Sequence, residues 1–439
     1  MVYEIVLGRS DAEREKIGLT GTILIGKQYV KMGQVTALSQ PIYLDLNKAH
    51  CVFVCGKRGS GKSYSLGVIA EGISKLEQDL RNKLSVLILD TMGIYWTMKY
   101  PNHKEEVLLH EWGFEGAPIE NVKIFTPVGF YREYKQKGIP TDSQFAIRPN
   151  ELNPEDWNLA FELKSNDPIA VFIERIVLQL KKEKPNFSLD DIIKIIRDDV
   201  SENPYVRQAA ENRFISVKSW GVFSEESTPL VELMKGGQIT VLDLSCYAMM
   251  PNGWRIKHLA LGIIANKMFM ERMRVRKTEE FESIHSALHY ISEDEKPSEL
   301  PIVWMLLDEA HEFLPKDEKV ASTDALVTLL REGRQPGIAM VLATQQPGKI
   351  HTDAMTQSDI ILAHRLTAKI DTDALAALLQ SYLRAGLDKE LDALPRVAGS
   401  AIAVDDVNER MFPMRVRPRF SWHGGGAPEL VGEKKKMFG

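Results

Sequence analysis

The stretch Gly56-Lys57-Arg58-Gly59-Ser60-Gly61-Lys62-Ser63 concentrates residues able to hold phosphate. Its glycines let a backbone turn tightly and aim N–H groups inward. Lys62 is placed to reach β- and γ-phosphates, and the Ser63 hydroxyl to ligate Mg²⁺. Gly56 through Tyr64 are therefore the candidate binding residues for ATP. A second group, Asp308-Glu309, follows the apolar run Ile302 to Leu307. Asp308 is the candidate for the Mg²⁺ shell, and Glu309 for polarising an attacking water. Downstream, Ala343-Thr-Gln345-Gln346 puts polar side chains at another strand tip. Gln345 is the candidate that contacts the γ-phosphate and reports its loss. Arg331 and Arg334 are either surface cations at a helix end or charge donors to the transferring phosphate, from this subunit or a neighbour. Catalytic candidates are thus Lys62, Glu309, Arg334 and Gln345. Asp90, which ends the apolar run Leu84 to Leu89, is a candidate second acid near the metal. His311 reads as a packing or capping residue.

These groups need elements to hold them. Cys51 to Cys55 is a short apolar run that reads as a buried strand, and a helical pattern follows from Tyr64 to about Leu76. Strand, glycine-rich loop, helix is the setting a phosphate-binding loop requires. Further buried strands are expected at 84–90, 121–125, 236–244, 302–307, 338–343 and 359–364. Strands alternating with helices give a mostly parallel sheet with helices on both faces, an α/β fold.

Residues 1–49 read as a small β unit with strands near 21–26, 28–33 and 41–46; it is too small to bury much alone and should pack on the core or a neighbour. The stretch 129–233 changes texture to helical periods at 154–163, 168–181, 188–200 and 205–219, a helical insertion with no chemical constellation of its own. An amphipathic helix is expected at 255–276 and a mobile loop at 277–301. Residues 401–404 and 414–418 read as an edge strand pair, and 419–439 as a flexible tail. The phosphate-binding core is thus split, 50–128 and 234–418.

At 439 residues the chain is long enough for two or three domains with one large core. With 44% hydrophobic and 26% charged residues it has a globular protein's composition, and no apolar run is long enough to span a bilayer. A cytoplasmic protein with no membrane partner is expected. Of three cysteines, Cys51 and Cys55 flank the loop-bearing strand and read as small buried apolar residues, not zinc ligands. A net charge of −5 provides no general field for nucleic acid, so any DNA contact must be local, as in a pore.

Taken in order, Gly56-Lys-Arg-Gly-Ser-Gly-Lys-Ser, Asp90-Thr-Met-Gly-Ile-Tyr, Leu307-Asp-Glu-Ala-His-Glu-Phe, Arg331-Glu-Gly-Arg-Gln, Ala343-Thr-Gln-Gln-Pro and Ile361-Leu-Ala-His-Arg-Leu resemble the HerA family of HerA/FtsK ATPases. The resemblance covers most of residues 1–418. It implies a RecA-like core, a small N-terminal β-barrel and a helical insertion. It also implies a homohexameric DNA translocase or helicase that works with a separate nuclease of the NurA type or with an effector in phage defence. It assigns Lys62, Asp308 and Glu309 to the nucleotide, places Asp90 and Arg334 nearby, and makes Gln345 a sensor. The family often carries an arginine just ahead of the loop-bearing strand that reaches the next subunit's site. Here that region is Leu46-Asn-Lys48-Ala-His50, where Lys48 or His50 would have to substitute. One core per chain means that a neighbour must complete the nucleotide cleft. Lys316, Lys319 and Lys349 are candidate DNA-phosphate contacts. Three other readings compete: a DEAH-type helicase, which needs two tandem cores; a secretion- or conjugation-type ATPase; and an ATP-binding ring that only organises an effector nuclease.

Overall fold

The computed structural model describes residues 4–32, 35–289, 300–366, 368–377 and 381–426. The strands, in chain order, are β1 (Ile5–Leu7), β2 (Thr22–Met32), β3 (Val35–Asp45), β4 (Cys51–Cys55), β5 (Leu84–Asp90), β6 (Val122–Pro127), β7 (Ser143–Phe145), β8 (Ile239–Asp243), β9 (Ile302–Leu307), β10 (Ile338–Thr344), β11 (Ile360–His364), β12 (Ser400–Asp405) and β13 (Arg410–Val416). They form one sheet in the order β1-β3-β2-β13-β12-β11-β4-β10-β9-β5-β8-β6-β7. From β11 to β7 every pairing is parallel. From β11 through β12, β13 and β2 to β3 every pairing is antiparallel.

Residue alternation along the strands explains the layers. Val52 and Val54 of β4 and Val86 and Ile88 of β5 face the helix Lys62–Ser74, against Leu66, Ile69 and Ile73. Phe53, Cys55, Leu87 and Leu89 face the other way, into the insertion and the helix Gly253–His289. Strands buried on both faces read as unbroken apolar runs, which is why the sequence shows them so clearly. Within the insertion, the helices Pro154–Ala160, Pro168–Glu183, Leu189–Asp198 and Pro204–Val217 enclose Trp157, Phe172, Ile192 and Phe214. Ser188 caps the third of them, with Asp191 returning the bond.

Several elements differ from expectation. Residues 22–32 form one strand with register shifts at Leu24/Gly26 and Lys27/Tyr29, not two strands. These irregularities break the alternation that a sequence pattern relies on. The N-terminal unit packs on the core as an extension of its sheet, since β2 pairs with β13. For the same reason the β12–β13 hairpin is interior and not an edge. The long helix runs on to His289, through much of the expected loop at 277–301; residues 290–299 lie outside the described residues. Polar composition there reflects a solvated helix surface. Finally, Arg419 and Ser421 are fully buried, so the chain is still docked where the flexible tail was expected to start; residues 427–439 lie outside the described residues.

Candidate nucleotide site

The loop after β4 is shaped by contacts that only glycine tolerates. A Cβ on Gly56 would sit 2.5 Å from Ser60 Oγ and 2.6 Å from His364 Cβ, and Gly61 has φ +108°. The Lys57 amide donates to the Arg365 carbonyl (2.9 Å), tying the loop to the segment after β11. Beneath it lies His364, fully buried, with Nδ1 3.2 Å from the Ser400 carbonyl and Nε2 2.9 Å from Ser65 Oγ. Burial pushes its pKa down to about 4, so the ring is neutral. Nδ1–H therefore donates to the carbonyl, and the Ser65 hydroxyl donates to Nε2. The sequence singled out neither His364 nor Ser65 for a role, although His364 sits in the quoted motif.

The Lys62 ammonium is buried and donates to the Lys57 carbonyl at 3.2 Å. Burial holds it below its ordinary pKa, opposed by the nearby Glu309 and Asp308 carboxylates. These groups therefore share one site. They follow β4 and β9, and β10 runs between those strands. Thr344 aligns with Cys55 across the β10–β4 pairing, which carries Gln345, half-buried, to the loop's side. Asp308 is buried; its Oδ1 accepts the Glu309 amide (3.0 Å) and its Oδ2 the Tyr95 hydroxyl (3.2 Å). Glu309 has φ +49°, a left-handed conformation unusual for this residue type. Burial first, and the Asp308 charge second, push its carboxyl up to about 7. Its Oε2 is buried without a hydrogen-bond partner, as is Ser60 Oγ. Orphaned polar atoms in a loop built to receive phosphate mark where a ligand's atoms belong.

His311 braces this edge. Its Nδ1 lies 3.1 Å from Thr344 Oγ1 and its Nε2 3.3 Å from Gln346 Nε2, so it joins the tips of β9 and β10. Burial, with Lys349 and Lys62 nearby, keeps it below its ordinary pKa. Gln346 is thereby engaged, and Gln345 is the neighbouring side-chain amide at this tip that can turn to a ligand.

Asp90 does something other than expected. Its carboxylate accepts the backbone amides of Met92 (3.2 Å), Gly93 (2.8 Å) and Tyr95 (2.8 Å), so it holds the loop after β5. Burial, then Asp243 on the neighbouring strand, push its pKa up to about 7. Arg334 is exposed and precedes β10, whereas Gln345 follows it. A strand of seven residues separates the two by about 20 Å. Arg334 thus stands at the opposite end of the strands from Lys62. Arg331 pairs with Asp353 at 2.6 Å. Neither stand-in ahead of β4 is free: Lys48 pairs with Glu13, and His50 is buried between Asp45 (3.0 Å) and Asp359 (2.6 Å). Tyr64 donates to Glu105 (2.6 Å) and accepts the Arg419 amide (2.7 Å). The exposed Lys57 and Arg58 lie at the loop's outer bend.

A parallel sheet that gathers a glycine-rich loop, a lysine and an acid pair at the carboxyl ends of its strands defines a P-loop ATPase. VirB4 of Thermoanaerobacter pseudethanolicus shares this fold with a TM-score of 0.51 at 12% identity, covering 90% of this chain and 96% of that one. Residues 30–251 match the family described as "Helicase HerA, central domain", and the chain belongs to that family. Two curated relatives are similar along much of their length. The DNA double-strand break repair helicase HerA of Saccharolobus solfataricus is 20% identical over 431 residues, 93% of this chain and 72% of the relative. Its counterpart from Pyrococcus furiosus is 25% identical over 375 residues, 80% of this chain and 63% of the relative. Asp308, Glu309 and Gln345 lie beyond the matched central domain, so their assignment rests on the geometry of the strand tips around Lys62.

Proposed function

We propose that this chain is an ATP-driven double-stranded DNA translocase or helicase that works as a homohexameric ring and feeds DNA to, or activates, a separate nuclease in end resection or phage defence. One observation carries the reading: Lys62, Asp308 and Glu309 follow the aligned carboxyl ends of β4 and β9, while the exposed Arg334 precedes β10, at the other end of the strands. One chain therefore offers an unfinished site and a cation for the next chain's site. The names of the HerA relatives, both DNA repair helicases, support DNA as the track. No helix among the described residues is long and apolar enough to cross a membrane.

In this reading the loop amides and Lys62 neutralise the β- and γ-phosphates. Among the described residues there is no cluster of three or more metal-ligating side chains. Magnesium needs none, because it takes one or two protein oxygens beside phosphate oxygens. The Ser63 hydroxyl and the Asp308 carboxylate, whose Oδ2 accepts from Tyr95, are oxygen donors of that kind. When bound, the ion would draw charge from the phosphates. Glu309, held in its left-handed turn with Oε2 free of hydrogen bonds and 3.6 Å from His311 Nδ1, accepts a hydrogen bond from the attacking water. Gln345 senses the γ-phosphate, and Arg334 from an adjoining protomer supplies positive charge to it. Lys316 and Lys349, exposed and next to the Pro315–Ile350 bridge, are the proposed local contacts to DNA phosphates.

The test is ATP turnover with and without double-stranded DNA, alongside the mass of the protein with and without ATP. Stimulated turnover by a hexamer is expected. A monomer without turnover would sink the proposal. A Glu309→Gln protein that loses turnover yet fully supports the nuclease would replace the motor with an ATP-dependent scaffold.

A further inference from the structure

We infer that Tyr95 is a positioning residue for the divalent cation: its hydroxyl sets the orientation of the Asp308 carboxylate. The inference rests on reading the site as one for metal–ATP.

The side chain is 1% exposed, and its hydroxyl lies 3.2 Å from Asp308 Oδ2 and 3.4 Å from the Ser63 carbonyl. A tyrosine hydroxyl has one proton, and the carboxylate is both the nearer and the stronger acceptor. With Oδ1 taking the Glu309 amide, each Asp308 oxygen has one fixed donor. The carboxylate rotamer is set, and the remaining lone pairs stay open to an ion or its waters. Such supporting partners tune metal sites as strongly as some ligands do.

The donor is itself held from two sides. Asp90 accepts the amides of Met92, Gly93 and Tyr95. Beyond the ring, the Trp422 amide donates to the Tyr100 carbonyl (2.8 Å), and the Thr97 hydroxyl lies between the Ile94 (2.7 Å) and Trp422 (2.8 Å) carbonyls. The hydroxyl therefore arrives at Asp308 without a loop left to order. This gives Asp90 its part as well: it acts on the metal through Tyr95.

Tyr95→Phe removes one oxygen and keeps the ring. Mn²⁺ binding would be measured by electron paramagnetic resonance on the protein with a non-hydrolysable ATP analogue, so no turnover is involved. Nucleotide binding in EDTA would be measured in parallel with a fluorescent ATP analogue. Losing a hydrogen bond to a charged group should weaken Mn²⁺ binding about five-fold or more. Metal-free nucleotide binding should stay unchanged, and the Mg²⁺ needed for half-maximal turnover should rise in parallel. Unaltered Mn²⁺ affinity, or an equal loss of metal-free nucleotide binding, overturns the inference. If Tyr95→Phe does not fold, Asp90→Asn must move Mn²⁺ affinity in the same direction, and no shift overturns it. Wild-type protein that binds no Mn²⁺ with the analogue refutes the nucleotide-site reading itself.

Discussion

Glu71 sits in the last turn of the loop-bearing helix Lys62–Ser74 with no exposed surface, and it holds the segment 417–421. Its carboxylate accepts from Arg419 Nε (2.9 Å), Arg417 Nη1 (3.3 Å), the Phe420 amide (3.0 Å), the Ser421 amide (3.2 Å) and the Ser421 hydroxyl. Both arginine side chains are buried too, at 2% and 1% exposure. Glu71→Gln keeps the shape but leaves two buried cations without a counter-charge. Breaking such a pair costs about 3–5 kcal/mol. The docked segment is the cheapest structure to give up, so it should open before the sheet does. A cost of about 3 kcal/mol corresponds to more than a 100-fold rise in local opening. Hydrogen exchange should show that rise at Trp422, Asn102 and Ala117, whose amides bond to Tyr100 and Phe420 carbonyls. The amides of β9 and β10 should exchange as in wild type. Although burial raises the Glu71 pKa, Arg419 and Arg417 hold it below the ordinary value. The stabilisation is therefore present above the ordinary carboxylate range and fades as pH falls through the lowered pKa. Exchange at Trp422 that is the same in wild type and Glu71→Gln would refute the anchoring role of Glu71.

Lys62→Ala should abolish ATP binding by calorimetry while leaving the melting curve of the free protein near wild type; retained binding would mean the loop is misread. Arg334→Ala should lower turnover by roughly 10³-fold or more with little loss of nucleotide affinity. Mixing it with a Glu309→Gln protein should restore part of the turnover, because each supplies what the other lacks; equal losses in binding and turnover would count against a role in trans. His50 is lowered by burial but raised more by Asp359 and Asp45, to about 9. Its contribution, on the order of 3 kcal/mol as an upper value, is complete below the unfolded pKa near 6.5 and is lost as pH rises through 9. Urea unfolding at pH 7 and 10 should differ accordingly, and His50→Gln should flatten the difference. If Lys316 and Lys349 meet DNA backbone, affinity should fall steeply between 50 and 200 mM salt; a flat response excludes phosphate contacts there.

The residue order alone was enough for the loop, the acid pair and the parallel core. Each is a local pattern: glycines that a tight turn demands, and strands buried on both faces with no polar interruption. Family resemblance could be read from the same short runs. What lay beyond local pattern was decided by packing. That β10 runs between β4 and β9 follows from strand order, which no periodicity encodes. Asp90 looks like a metal acid from its place at a strand tip, yet three backbone amides turn inward and take its oxygens. Tyr95, His364 and Glu71 act through partners 213, 299 and up to 350 residues away. A side chain's chemistry is written in its type, but its partner is chosen only when the sheet closes and burial makes each unpaired polar atom costly.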